Sequence, residues 1–223
     1  MQGRNAAKSA THHRIVSSAS RLMRRRGLTG ASVADVMRGA GLTVGGFYAH
    51  FRSKRAMDLE VLEQAFAEVR EASMARQGDA QRLEWLARYV GHYLAAEHRD
   101  RPEGGCPAPS VVGDLVHADP ALRRALATIV ERWSDRIRVH APETAGVSPR
   151  ERALATIALC VGGLTLARSL RGQPLSDEVL RACAAWAVPE RASTATRSAA
   201  LRRRGPARRR PSPRKPQETR LKS

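Results

Sequence analysis

Apolar residues in the first 75 positions recur with the period of an α-helix, and no other feature of the sequence constrains the fold as strongly. Ile15, Ala19, Leu22 and Met23 share one helix face, and Gly27 follows as a helix-ending residue. Aromatic residues make up only 4% of the chain, whereas Ala, Leu and Arg are abundant, which favours helices over sheets. We therefore predict an all-α chain of about nine helices, with an N-terminal three-helix unit and a C-terminal helical bundle.

Two short amphipathic helices flank a glycine turn inside the N-terminal unit. They are predicted at Ser32–Gly39 and Thr43–Phe51, on either side of the sequence AGLT. Ser32 provides an N-cap, with Asp35 three residues later as a variant of the capping box. Such a pair forms either a DNA-binding helix-turn-helix or a plain helical hairpin within a bundle. The surrounding cations can neutralise phosphates and favour the first alternative; they are Arg24, Arg25, Arg26, Arg38, Arg52, Lys54 and Arg55.

The second helix of this unit contains two adjacent glycines, Gly45 and Gly46. Each one costs roughly 1 kcal/mol of helix stability relative to alanine, so a packing or functional reason is expected. Close approach of the backbone to DNA supplies such a reason.

The stretch from Thr11 to Met57, which contains ASVADVMRGAGLTVGGFYAHFRSKRAM, resembles the TetR/AcrR family of transcriptional regulators. The resemblance implies that the second helix of the unit enters the major groove, with Thr43 to Gly46 facing bases or the nearest backbone. Phe47 and Phe51 would be core. Phosphates would be held by Tyr48, His50 and Lys54, and by Ser32 at the start of the preceding helix. The implied DNA-binding residues are Ser32, Arg38, Thr43, Val44, Gly45, Gly46, Tyr48, His50 and Lys54.

The last two predicted helices, Pro149–Leu170 and Ser176–Ala187, carry apolar residues on almost every face. Such helices must be buried on every face, either within one chain or partly against a second copy. The family resemblance implies a homodimer across these helices, and the alternative is ordinary monomer core. The interface residues that we expect are Ile157, Val161, Leu164, Val179, Cys183 and Trp186.

Cys106 stands in the sequence GGCPAP, directly before a predicted helix. A helix N-terminus lowers the pKa of a thiol, so an exposed Cys106 would be a candidate sensor of electrophiles, helped by nearby cations. The segment is similar to the helix start of a cysteine-bearing subset of TetR-type regulators. The alternative is a small apolar residue that packs at a helix start, as we expect for Cys160 and Cys183. The cations that could assist the thiol are Arg99, Arg101 and His117.

Helix faces in the C-terminal part suggest a pocket for a small-molecule or electrophilic effector. Besides Cys106, its predicted lining comprises Trp85, Tyr89, Val112, Leu115, Ile129 and Trp133. His92 and His98 are six positions apart and lie on different helix faces, so we expect no metal site, and nothing in the sequence requires a cofactor. No nucleophile motif is present, so no catalytic residue is assigned and no enzyme activity is expected.

The formal net charge of the chain is +18, and the distribution of this charge is uneven. Residues 191–223 hold twelve Lys/Arg and one Glu, which leaves +7 for the rest. We predict a disordered basic tail at 190–223, which would either strengthen nonspecific DNA binding or be only a solvated extension. The longest uncharged run, Ala153–Ala167, is shorter than the roughly 20 residues that span a bilayer. With a polar N-terminus, this predicts a cytoplasmic protein without a membrane partner.

These observations together predict a one-component regulator with residues 1–56 as the DNA-binding unit and 57–189 as the effector-binding and dimerisation unit. We expect a homodimeric repressor that binds a palindromic double-stranded operator and is released by a small-molecule or thiol-reactive signal. The alternative is a nonspecific nucleic-acid-binding protein that uses the basic tail and responds to no effector.

Overall fold

The computed structural model describes residues 2–77, 82–142 and 146–188, and in these ranges the fold is all-helical, with nine α-helices and two 3₁₀ segments. The predicted fold class and helix number are therefore confirmed for the described residues. The predicted tail at 190–223 lies outside them. The α-helices are α1 (Gln2–Arg26), α2 (Val33–Gly39), α3 (Lys54–Gln77), α4 (Arg82–Tyr93), α5 (Ala96–Asp100), α6 (Ala108–Val116), α7 (Pro120–Arg138), α8 (Pro149–Ser169) and α9 (Pro174–Ala187); the 3₁₀ segments are Val44–Ala49 and Pro102–Gly104.

Local signals in the sequence set the helix boundaries near the N-terminus. The Ser32 hydroxyl accepts from the Asp35 backbone N–H, and the Asp35 carboxylate accepts from the Ser32 N–H, which completes the predicted capping box of α2. Asp119 caps α7 in a similar way, as its position before a proline predicts. Gly27 and Gly41 adopt φ values of 75° and 68° just after α1 and α2, and these left-handed conformations favour glycine.

One apolar core joins the N-terminal unit to α6 and α7. Ile15, Phe47 and Met57 from the helix-turn-helix region are buried in the same cluster as Leu115 and Ile129. In addition, α3 runs without interruption through the boundary expected between residues 56 and 57. Residues of both units therefore belong to one hydrophobic core.

A second core lies under α8 and α9. Trp85 and Val90 of α4 are buried there with Cys160 of α8 and Leu180 of α9. At Gly163 an added Cβ would lie 2.8 Å from the Cys183 sulfur, so α8 and α9 approach closely at this glycine. The last two helices therefore pack against each other inside a single chain.

Two elements differ from the sequence prediction. The expected α-helix at Thr43–Phe51 is a 3₁₀ segment over Val44–Ala49, because Gly45 and Gly46 disfavour a regular α-helix. The stretch His98–Gly105 is charged and contains Gly and Pro, which predicts a break between helices, but it includes the end of α5 and a 3₁₀ turn. This segment is held by His98, whose Nδ1 donates to the Tyr93 carbonyl at 2.8 Å and whose Nε2 accepts from the Cys106 N–H at 2.9 Å.

Within the described residues, α8 is the one helix long and apolar enough to cross a membrane by length and composition. The helix has 21 residues and is longer than the uncharged run Ala153–Ala167, because it includes charged residues on both sides of that run. Cys160, Leu164 and Ala167 are fully buried against the rest of the protein, as in the central helix of a helical bundle.

Candidate nucleic-acid interface and internal cavity

The 3₁₀ segment Val44–Ala49 is fixed on one side and open on the other. Phe47 is completely buried and stacks on Phe51 with ring centroids 5.6 Å apart. On the outer side, Val44 is 48% exposed and Tyr48 is 72% exposed. The buried Phe47 anchors the segment, so the exposed apolar and aromatic side chains on its outer side are available for contact with another molecule.

The structure places most of the predicted DNA contacts on one accessible surface of α2 and the 3₁₀ segment. Gly46 is only partly exposed, because α2 lies behind it, and a Cβ added there would lie 3.6 Å from the Met37 side chain. At Gly45 an added Cβ would meet no atom within 4 Å. The exposed members of the set are Ser32, Arg38, Thr43, Val44, Gly45 and Tyr48.

Lys54 and His50 differ from this accessible group. The Lys54 ammonium donates to the Leu28 carbonyl at 3.0 Å and to both Asp58 carboxylate oxygens at 2.9 and 3.1 Å. It therefore fixes the α1–α2 loop to α3 and is not a free cation. Partial burial lowers the pKa of His50, as does the charge of His12, which favours the neutral imidazole over the imidazolium that attracts phosphate.

The sequence places Arg24 among the cations that can neutralise phosphates, and the structure corrects this assignment. Its side chain is buried, and its guanidinium donates to Ser20 at 2.6 Å, to the Ala65 carbonyl at 3.0 Å and to Glu68 at 2.8 Å. Arg24 thus joins α1 to α3 and does not face solvent.

α6 contacts the loop between α1 and α2 through two polar side chains. The Asp114 carboxylate accepts from the Leu28 and Thr29 backbone N–H groups at 2.7 and 3.2 Å. Ser110 donates to the Arg24 carbonyl at 2.7 Å. A Cβ added to Gly27 would lie 2.8 Å from the Ser110 carbonyl oxygen, so the loop approaches α6 too closely for a larger residue. We refer to these contacts as the α6–loop contact.

A cavity of about 650 Å³ opens between α3, α4 and α7. Its aromatic wall is rigid: the Trp85 and Tyr89 rings are stacked at 5.2 Å, and the Trp133 indole N–H donates to the Tyr89 hydroxyl at 2.7 Å. A volume of this size suits a small organic molecule. Five of the predicted pocket residues line the cavity, namely Trp85, Tyr89, Cys106, Ile129 and Trp133.

Two predicted pocket residues do not line the cavity. Leu115 is buried in the core shared with the N-terminal unit, and Val112 packs against the second core. Sequence reasoning also missed a polar stripe on the cavity side of α7. Its members recur at intervals of four residues, which places them on one helix face, and they are Arg124, Thr128, Arg132 and Arg136.

Cys106 is 2% exposed, and burial raises the pKa of its thiol. The structure therefore corrects the expectation of an exposed thiol with a lowered pKa and agrees with the packing alternative. Arg99 and Arg101 do not assist the thiol, because they pair with carboxylates of neighbouring residues. His117 follows the opposite end of α6 from Cys106.

α8 and α9 present an apolar face that the single chain leaves uncovered. Ile157 and Leu164, both expected at a dimer interface, are buried within the chain, and the structure corrects their assignment. Val161, Val179 and Cys183 are half-buried, whereas Trp186 is 82% exposed. Other large exposed residues on these helices were missed by sequence reasoning, namely Leu154, Leu166 and Leu175.

No group of three or more His, Cys, Asp or Glu side chains suited to a metal ion occurs in the part of the chain that the structure describes.

The fold and the exposed 3₁₀ segment define a class of protein, the helix-turn-helix DNA-binding regulators with a helical C-terminal domain. Residues 15–61 match the family model for bacterial regulatory proteins of the tetR family, and residues 82–183 match the tetracyclin repressor-like C-terminal domain. The chain belongs to the TetR family of DNA-binding transcriptional regulators.

Individual relatives agree with this assignment. The HTH-type transcriptional repressor DhaR of Mycobacterium sp. (strain GP1) is 26% identical over 127 residues, and the match covers 57% of this chain but only 63% of DhaR, less than two thirds of its length. A TetR transcriptional regulator from Chloroflexus aurantiacus J-10-FL is 25% identical, with a TM-score of 0.69 over 81% of this chain and 96% of its own. A Saccharomonospora viridis structure in complex with choline shares the fold, with 21% identity, a TM-score of 0.63 and coverage of 78% and 94%.

Proposed function

We propose that this TetR-family regulator is a homodimeric repressor that binds a palindromic operator and leaves it when a small molecule occupies the cavity. The observation that carries the proposal is the position of α3. This helix begins five residues after the exposed 3₁₀ segment Val44–Ala49 and then forms one wall of the cavity. An occupant of the cavity therefore bears directly on the element that supports the DNA-facing surface.

On this proposal, the 3₁₀ segment enters the major groove, with Thr43, Val44 and the two glycines towards the bases. Tyr48 and Arg38 reach phosphates, and Ser32 offers the N-terminus of α2 to another phosphate. Lys54 acts through its bonds to the α1–α2 loop. His50 supplies an uncharged contact at the edge of the groove.

The uncovered face of α8 and α9 supports dimerisation. Leu166 and Leu175 are 55% and 51% exposed, and Trp186 is exposed further along α9. Several large apolar side chains exposed on one helix pair are typical of a protein–protein interface. Two-fold symmetry would pair two recognition segments with two half-sites. We propose that residues 1–56 serve DNA binding and 57–189 serve the effector and the dimer, with the shared core connecting the two.

Release requires the two states of the protein to differ in affinity for DNA. Arg55, near the start of α3, pairs with Asp119 at the N-terminus of α7 at 2.6 Å. Since α3 and α7 both line the cavity, an occupant that moves one relative to the other shifts α3 and with it the recognition segment.

The comparisons support this proposal. DhaR is named a repressor, and the Saccharomonospora viridis structure holds a small molecule on a related fold. A repressor of this kind acts in the cytoplasm, and the proposal gives it no catalytic role. The alternative, a nonspecific nucleic-acid binder that depends on residues 190–223, predicts different behaviour in the same binding assay.

The test measures binding of the full chain to the DNA directly upstream of its own coding region, at moderate salt with random DNA as competitor. The variants are Tyr48→Ala, Arg38→Ala and a chain ending at residue 189. Arg101→Ala is the matched control, since the Arg101 and Arg38 side chains are 75% and 76% exposed.

We expect competitor-resistant binding that Tyr48→Ala weakens at least tenfold, because a lost hydrogen bond to a charged group costs about 1.5–3 kcal/mol. Arg38→Ala also weakens it, whereas Arg101→Ala and the shortened chain leave it unchanged. Binding that disappears with competitor or with removal of residues 190–223 would instead support the nonspecific alternative.

A further inference from the structure

The cavity wall carries more positive than negative charge. Arg124, Arg132 and Arg136 project from one face of α7, and Arg70 of α3 lines the same cavity. The acidic residues in the lining are Glu60 and Glu63. Glu60 is already paired with His12 at 2.6 Å, so its charge is partly compensated. Arg70 lies 3.9 Å from the Glu71 carboxylate, so its charge is also partly compensated.

Arg136 has no hydrogen bond or ion pair with any described residue, and it is the most enclosed of these arginines. Its side chain is partly buried beside Arg70, and both the burial and the charge of Arg70 lower its pKa. A desolvated cation beside a like charge is unfavourable unless an anion joins them. Burial and the like charge of Arg70 therefore favour the binding of an anion at this point of the cavity.

Tyr89 adds a hydrogen-bond donor near Arg136. Its hydroxyl accepts from the Trp133 indole N–H, and no described residue accepts its own proton. Trp133 precedes Arg136 by three residues on α7, so the hydrogen bond from Trp133 places the Tyr89 hydroxyl one helical turn from Arg136 in the cavity wall. A guanidinium with a neighbouring O–H donor matches the lone pairs of a carboxylate.

We propose that the cavity ligand is an amphipathic organic carboxylate, whose carboxylate binds Arg136 and the Tyr89 hydroxyl while its apolar body lies against Trp85 and Trp133. This inference rests on the proposed function, because it names the chemical class of the effector. The stacked aromatic wall supplies apolar contact area, and Arg70 adds long-range attraction for the anion.

An organic cation is the contrasting occupant, since aromatic walls also attract quaternary ammonium groups. The charge of the lining opposes it. The lining holds four arginines and two glutamates, and this excess of positive charge opposes a cation. The rings of Trp85 and Tyr89 are stacked on each other and do not form an open cage.

The test uses calorimetric titration of the DNA-free full chain with matched probes. 1-Naphthaleneacetate is compared with 1-naphthaleneacetamide, octanoate with octan-1-ol, and choline serves as the cation. Each carboxylate is expected to bind at least tenfold more tightly than its neutral partner. A ratio near one for both pairs, tighter binding of choline, or no binding of either carboxylate at millimolar concentration overturns the inference.

Variants locate the carboxylate within the cavity. Arg136→Gln should reduce the ratio between carboxylate and neutral probe to below threefold, with the affinity for the neutral probe unchanged within twofold. Tyr89→Phe and Arg70→Gln should each reduce the ratio between carboxylate and neutral probe partially. The control is Arg138→Gln, because Arg138 pairs with Asp135 at 2.8 Å and does not line the cavity. An unchanged ratio in Arg136→Gln, with the variant folded by circular dichroism, contradicts the assignment.

The same probes separate this inference from the proposed function. If the carboxylates bind and the operator complex persists, the ligand class stands and the release step fails. If the free protein ignores its upstream DNA, the repressor proposal fails, and the affinity ratio still reports on the cavity.

Discussion

At the scale of single residues, Cys106 shows how position decides the chemistry of a thiol. It precedes α6, where the helix dipole would favour the thiolate. Burial outweighs this effect, because no water solvates the charge, and the pKa of the Cys106 thiol rises. Its backbone N–H donates to His98, so the residue also fixes the turn into α6.

We predict that Cys106 in the folded protein reacts with iodoacetamide at pH 7 at least tenfold more slowly than in urea. The reason is that both access and thiolate fraction are low in the folded state. Peptide mass spectrometry after timed labelling provides the rates, and Cys183 is the internal comparison because it is less deeply buried. Equal rates in buffer and in urea would contradict the burial of Cys106 and support an exposed, reactive thiol.

At the scale of elements, α8 and α9 combine an inner and an outer apolar surface. The inner surface packs on the second core, and the outer one carries Leu166 and Trp186. A helix pair that is apolar on both sides is stable in water only when the second side is also covered.

Leu166→Glu and Trp186→Glu are expected to shift the protein from dimer to monomer, because a charge in an apolar interface must be desolvated. Sedimentation velocity at micromolar concentration measures the change. Val116→Glu provides the control, since Val116 is 65% exposed and belongs to α6, not to α8 or α9. Should both variants sediment like the unmodified protein, the dimer proposed here uses another surface.

Most element boundaries follow from local chemistry, and the exceptions have physical causes. The capping residues Ser32 and Asp119 determine helix starts because their bonds are formed within a few residues of sequence. The sequence does not predict α5, because the hydrogen bonds of His98 to Tyr93 and Cys106 that hold this helix in place form only in the folded chain. The sequence shows the four-residue spacing of Arg124, Thr128, Arg132 and Arg136 along α7, but only the packed structure shows that this face borders the cavity.

The candidate DNA site was predictable to a similar extent. The exposed residues Thr43, Val44 and Tyr48 follow from the motif. The engagement of Lys54 with Leu28 and Asp58 does not, because it depends on how α3 packs beside the α1–α2 loop.

At the scale of the whole molecule, the α6–loop contact connects the two units through groups that do not face DNA. Asp114 accepts two backbone N–H groups of the α1–α2 loop, and α6 begins just after Cys106, which borders the cavity. Movement at the cavity can thus reach the helix-turn-helix along a second route, besides α3.

Asp114→Ala should lower the free energy of unfolding by about 1–3 kcal/mol, because two loop N–H groups lose their acceptor. It should also weaken operator binding several-fold, although Asp114 lies outside the DNA-facing surface. Urea denaturation and the operator assay measure the two effects. Asp135→Ala is the control: Asp135 is exposed and pairs within α7, so a change below about 0.5 kcal/mol is expected. Identical results for both variants would mean that the α6–loop contact carries no coupling.

The core that Phe47 and Met57 share with Leu115 and Ile129 has a consequence for protein engineering. A chimera that joins residues 1–56 to the sensing domain of another regulator would leave both sides of this buried surface without their partners. The smallest exchangeable module is therefore the helix-turn-helix together with the inward faces of α6 and α7. By the same reasoning, when related genes diverge, substitutions on those two helices must be matched by substitutions in α1, even while the operator stays the same.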